Sequence, residues 1–163
     1  MSTKLPAIDP KMFWRALGMR AVGGAVVTAR GDQGSAGFLA LSVTHLTQNP
    51  PTLMLSIGKK TSALVTVREA GHFAVNYLAS SDSELADVFG GRTQIAGADR
   101  FRVGSWHELL TGAPVLKGAV GTIECRLIEE IDRYDSVIAI GEIVNWTFDA
   151  SVQPLVYFAG GLR

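Results

Sequence analysis

The chain has 163 residues, 47% hydrophobic and 18% charged, with 15 Lys and Arg balanced by 15 Asp and Glu. A chain of this length buries about two-thirds of its extended surface in one core, so a single globular domain without staples is expected and disorder is not. Neutral charge with no Lys/Arg run argues against nucleic acid or anionic membrane as the main partner; the lone Cys125 and the lack of any long apolar run lead to the expectation of a cytoplasmic, disulfide-free protein.

In chain order, residues 1–9 read as a polar N-terminal arm. Asp9-Pro10 opens a helix, with Asp as N-cap and Pro in the first turn; Phe13, Ala16 and Leu17 carry it towards Gly18–Arg20. Ala21–Ala29 reads as a strand whose Gly23-Gly24 allows a bulge or the close approach of another backbone. Arg30–Ser35 is a hairpin turn, since Gly31, Gly34 and Gly37 do not form the GxGxxG of dinucleotide folds. A strand over Gly37–Ser42, a hydroxyl-bearing turn (Ser42, Thr44, His45, Thr47), a Pro50-Pro51 break and a strand over Thr52–Ile57 follow. Gly58-Lys59-Lys60-Thr61-Ser62 then opens a helix over Ala63–Glu69 that Gly71 ends. This turn is not a Walker A loop, because its Gly-Lys is not followed directly by Ser or Thr and Leu53 stands where the earlier Gly is needed.

His72–Leu78 is the next strand. Ser81-Asp82-Ser83-Glu84 has the pattern of a capping box before a short helix whose apolar face is Leu85, Val88 and Phe89. Gly90–Gly112 is a long irregular stretch carrying Arg92, Arg100, Phe101, Trp106 and His107, and such loops are usually functional or interfacial. Two long strands, Ala119–Ile131 and Asp135–Thr147, meet at Asp132–Tyr134, and Pro154–Ala159 is a last short strand. Strands dominate without regular βαβ alternation, so the expected fold is mainly β, a Greek-key barrel with three short helices. Strands that outrun one small barrel need cover, and a homodimer is expected.

Two polar clusters thus sit at strand ends, one around Ser42 and one at Gly58–Ser62. Both offer hydroxyls and backbone N–H groups; the second adds two ammonium charges beside a helix N-terminus, a setting that favours a phosphorylated ligand. A solvated turn with a helix cap would use the same residues. His45, His72 and His107 stand far apart with no metal-ligand spacing, so no metal is expected. Cys125 lies among apolar neighbours and reads as an inert buried thiol. No acid–base dyad or nucleophile is visible, and no catalytic side chain is expected.

Gly37-Phe38-Leu39-Ala40-Leu41-Ser42-Val43-Thr44 with Pro50-Pro51, Phe73-Ala74-Val75-Asn76, and Thr111-Gly112-Ala113-Pro114-Val115-Leu116 occur in an order and spacing that resembles the flavin reductase-like family, the FMN-binding split β-barrels, from Phe13 onward. The resemblance implies one such domain over 1–163, with a flavin pocket close to a homodimer interface. It implies a flavin reductase similar to the small component of 4-hydroxyphenylacetate hydroxylases. Such a protein passes hydride from NADH or NADPH to FMN, alternatively FAD, for a partner monooxygenase. A corrin reductase and a flavin carrier without reductase activity are the other readings. Carried over residue by residue, Ser42, Thr44, Lys60, Thr61 and Ser62 are expected at the ribityl chain and phosphate. Leu39, Ala40, Leu41, His45 and Ile57 are expected along the ring, with Asp135 and Ser136 at the nicotinamide and Trp106 as a candidate cover for the ring. The chain departs from the pattern at Ser136, where the family often carries His: a hydroxyl hydrogen-bonds but bears no positive charge. Leu39 and Leu41 also stand where Thr and Asn or Ser are common, leaving more of the ring recognition to backbone groups.

Overall fold

A computed structural model describes residues 5–163. Of the predicted arm, residues 1–4 lie outside the described residues and residues 5–9 are exposed and irregular. The Asp9 carboxylate accepts the Lys11 N–H at 2.9 Å and caps a 3-10 turn, Pro10–Met12, that runs into helix α1 (Phe13–Leu17). The capping chemistry is as the sequence implies, but α1 buries none of its side chains.

The expected strand after it is two. β1 (Val22–Gly23) and β2 (Ala25–Gly31) are separated by Gly24, whose N–H donates to the Leu155 carbonyl at 2.8 Å and whose carbonyl accepts the Leu78 N–H at 2.9 Å. A Cβ there would lie 3.3 Å from the Leu162 side chain and 3.5 Å from the Leu155 oxygen, so the glycine permits a close backbone crossing between sheets. β3 (Gly34–Ala40) returns antiparallel to β2. The predicted hydroxyl-bearing turn is instead mostly an edge strand, β4 (Thr44–Gln48), paired with β5 (Pro51–Gly58) and exposed at every residue. With neither face buried it lacks the apolar alternation that marks a strand in sequence.

Helix α2 (Ser62–Ala70) buries Ala63, Leu64 and Val67 and ends at Gly71, φ +67°. It leads into β6 (His72–Tyr77). Helix α3 (Ser83–Phe89) buries Leu85, Ala86, Val88 and Phe89 as its pattern predicts, but the capping box does not form: the Asp82 carboxylate accepts the Ala79 N–H at 2.9 Å, reaching back rather than into its own first turn. The long irregular stretch contains a 3-10 turn, Gly97–Arg102, and β7 (Trp106–Glu108), which pairs with β8 (Pro114–Leu116). β9 (Gly121–Arg133) and β10 (Ser136–Phe148) are the expected long hairpin, and β11 (Val156–Phe158) is followed by a short β12 (Gly161–Leu162).

The main sheet runs β3-β2-β6-β9-β10-β5-β4, every neighbour antiparallel, with a small β1-β11-β12 sheet beside it. It curls until the chain beyond β3 meets β5: Ser42 Oγ accepts the Ser56 N–H at 3.0 Å. The interior is filled by Val27, Leu55, Ile57, Leu64, Phe73, Val75 and Cys125 among others. Two buried polar side chains pin the Thr111–Leu116 segment to this barrel. Asn76 Oδ1 accepts the Leu116 N–H at 2.9 Å and the Thr122 hydroxyl at 3.0 Å. The fully buried Glu124 accepts from the Leu110 and Thr111 N–H groups, the Thr111 hydroxyl and the Asn145 amide, at 2.6–3.0 Å. Burial pushes its carboxyl up, and the donors of Thr111, Asn145 and Leu110 outweigh that and hold it below the usual carboxylate range.

Candidate functional site

The last residues of β3 leave the β2 ladder at Ala40, the partner of Ala25, and continue as Leu41 and Ser42. Phe38–Ser42 line a cleft of about 1020 Å³ to which four other segments contribute. One is the turn between β5 and α2. Strand alternation turns Ser56 and Gly58 to the cleft and Ile57 to the interior. The Thr61 N–H closes the turn onto the Gly58 carbonyl at 2.9 Å. α2 then starts without a side-chain cap and without an acidic residue in its first turn, and Lys60, Thr61 and Ser62 at its head line the cleft, with Asp135 on the same wall.

The two lysines of this turn have separate tasks. Lys59 Nζ donates to the Asp132 carboxylate and the Tyr134 carbonyl, both at 2.7 Å, and its backbone N–H donates to the Asp135 carbonyl at 2.9 Å. It ties the β9–β10 turn to the head of α2, which sets Asp135 and Ser136 on the cleft wall; Ser136 is the register partner of Gly58. Lys60 lines the cleft, and among the described residues it makes no ion pair.

The third contribution is Phe89–Arg92 at the end of α3, with Arg100. Arg100 donates to the Gly37 carbonyl at 3.3 Å and the Ile95 carbonyl at 3.4 Å, and Arg92 pairs with Asp87 at 3.2 Å. The fourth is α1 and the residues after it: Phe13, Trp14, Leu17 and Arg20.

Of the residues expected at a ligand, the cleft thus brings together Leu39, Ala40, Leu41, Ser42, Lys60, Thr61, Ser62, Asp135 and Ser136. Three do not join them. Ile57 is 1% exposed and packs in the barrel interior, because it has the opposite strand parity from Ser56. Thr44 and His45 lie on the exposed edge strand β4, where pairing with Met54 and Leu53 carries them off the cleft wall. Trp106 is no cover either: its indole packs on Phe89 and Phe101, at 5.6 and 5.1 Å between centroids, and donates to the Val103 carbonyl at 2.9 Å. Arg92 and Arg100 stood out in the long loop without an assigned role, so their place here was partly signalled. Phe13, Trp14 and Arg20 were not, since an amphipathic first helix reads as one that packs on a core.

Cys125 is fully buried and its thiol is pushed up to about 12, first by burial and then by the Glu124 charge, which suits an inert side chain. Among the described residues no group of His, Cys, Asp and Glu could hold a metal, and no helix is long and apolar enough to cross a membrane.

Residues 19–163 match the flavin reductase like domain. The chain belongs to that family. It is 34% identical over 158 residues to an FMN reductase (NADH) RutF of Ancylobacter novellus, an alignment covering 97% of this chain and 86% of the relative. Among solved structures, it superposes on the NADH:FAD oxidoreductase SgcE6 of Streptomyces globisporus with a TM-score of 0.86 and 26% identity, covering 98% and 96% of the two chains. The flavin reductase component BorF of a bacterial two-component tryptophan halogenase gives 0.86 and 26%, covering 95% and 97%. The fold is therefore that of the family's split barrels, as the motifs implied, and the cleft lies where its flavin reductase motif runs out of β3.

Proposed function

We propose that this protein is an NADH-dependent FMN reductase that supplies reduced flavin to a partner oxygenase. One observation carries the reading: an uncommitted cation, two hydroxyls and the uncapped N-terminus of α2 converge on a cleft floored by Phe38–Ser42. That donor set fits a phosphate dianion. Lys60, Thr61 and Ser62 would hold the phosphate, Ser42 the ribityl chain, and Leu39–Leu41 the ring, through backbone groups and an apolar surface that keeps water away. Asp135 and Ser136 would meet the nicotinamide. Bound flavin supplies the hydride-accepting chemistry, and the chain supplies orientation and shielding.

The protein would work as a homodimer. Support comes from an apolar groove of about 510 Å³ formed by Pro51, Tyr77, Ile123, Ile143, Trp146 and Phe148, with Trp146 and Phe148 66% and 67% exposed. A patch of this kind on a soluble domain is a surface for a partner, and a second copy suits the expectation that the long β9–β10 hairpin is covered. The carrier reading is favoured by one feature, the neutral Ser136 on the cleft wall, and the same assay separates the two. NADH oxidation with FMN as acceptor, measured beside FMN binding by flavin fluorescence, gives turnover and saturable binding for a reductase. Binding without turnover would make it a carrier, and absence of both would sink the flavin reading.

A further inference from the structure

FMN carries one phosphate, and the α2 turn answers it, yet the cleft holds a second uncommitted cation. Arg92 and Arg100 are both engaged, by Asp87 and by the carbonyls of Gly37 and Ile95. Arg20 lines the cleft and, among the described residues, makes no ion pair.

The same cleft is lined by two aromatic side chains that core packing does not explain. Phe13 and Trp14 are 48% and 55% exposed on a helix that buries nothing. They meet each other edge to face at 5.2 Å, and Trp14 meets Tyr157 edge to face at 6.2 Å. Both rings line the cleft, Trp14 also lining a second groove with Tyr157, and their exposure leaves part of each accessible to a planar ligand. A guanidinium and exposed aromatic rings lining one cleft are the chemistry that holds a purine by stacking and its phosphates by charge. Space agrees, since about 1020 Å³ lies just above the roughly 300–1,000 Å³ of an ordinary small-molecule site.

We propose that Phe13, Trp14 and Arg20 form a subsite for the adenosine diphosphate half of a dinucleotide, with adenine on the aromatic pair and the diphosphate on Arg20. The assignment rests on the reductase reading and adds how the second nucleotide is held. NADH and FAD share this half, and the test separates them.

Selectivity is the readout. For wild type, Trp14→Leu, Phe13→Leu and Trp14→Phe, kcat/KM is measured with NADH and with reduced nicotinamide mononucleotide, which lacks the adenylate, and Kd is measured for FMN and FAD. Loss of stacking lowers the preference for NADH over the mononucleotide by about fivefold or more in the Leu variants, and Trp14→Phe, which keeps a ring face, retains most of it. A fall in the preference for FAD over FMN instead would place flavin adenine on the same subsite. Unchanged ratios for both pairs, in an enzyme that turns over, would overturn the proposal while leaving the reductase reading intact. If wild type shows no turnover, ADP binding decides. Quenching of tryptophan emission by ADP that disappears in Trp14→Phe supports the subsite, and no quenching at millimolar ADP overturns it.

Discussion

Replacing Lys60 and Thr61 together by Ala tests the phosphate end directly. Lys60 forms no ion pair among the described residues, and Thr61 occupies the N-cap position of α2 without a side-chain cap bond, so the double variant removes little that holds the fold. On the proposed reading it removes one charge-assisted hydrogen bond and one hydroxyl donor to the flavin phosphate. A hydrogen bond to a charged group is worth about 1.5–3 kcal/mol. Because Lys60 is solvent-exposed, screening should bring the result towards the lower end. The expected outcome is FMN affinity down by about tenfold, with riboflavin, which has no phosphate, changed by less than about twofold. Titration of flavin fluorescence at low and high salt reads both, and the FMN loss should shrink as salt rises. Lys59→Ala is the contrasting control: its ammonium is spent on Asp132 and Tyr134, so it loosens the β9–β10 turn and affects FMN and riboflavin alike. Equal losses for the two flavins in the Lys60, Thr61 variant would refute the phosphate assignment and leave the turn a structural one.

Ser136→His restores an imidazole on the cleft wall; it should lower KM for NADH several-fold, on the order of one hydrogen bond, and leave Kd for FMN unchanged in titration. Glu124→Gln leaves some of the Leu110, Thr111 and Asn145 donors unpaired in a buried site and should cost about 1–3 kcal/mol in urea unfolding. The folded Glu124 carboxyl titrates below its ordinary 4.5, so its contribution is present above that pH and is lost as pH falls through the folded value. The Tm of wild type should therefore drop below about pH 4.5 more steeply than that of Glu124→Gln. Trp146→Glu places a charge on the exposed apolar groove and should convert a dimer to monomer in light scattering; an unchanged mass would move the interface elsewhere.

The chain's local instructions were legible where one residue type carries the physics. Asp9-Pro10 caps the first turn, Gly71 ends α2 in the left-handed region, and the apolar spacing of Leu85, Val88 and Phe89 puts them inside. Hydroxyls and cations ahead of a helix N-terminus mark Gly58–Ser62 as a candidate anion site, and a solvated turn with a helix cap would carry the same residues. Strand pairing decided the rest. Ile57 and Ser56 are neighbours in sequence and alternation puts them on opposite faces of β5, but which face meets the cleft follows from how the sheet curls around the interior. Thr44 and His45 read as turn residues because an edge strand buried on neither face carries no alternation. The split of Lys59 from Lys60 depends on the β9–β10 turn, more than seventy residues further on, arriving beside α2. Phe13, Trp14 and Arg20 join the cleft on a segment tied to the β11–β12 turn, where the Ala159 N–H donates to the Gly18 carbonyl at 2.8 Å. The ordered motifs of the sequence thus pointed to the family, and local pattern to helix ends and strands, whereas the positions of the cleft's groups came from contacts distant in sequence, which no local window records.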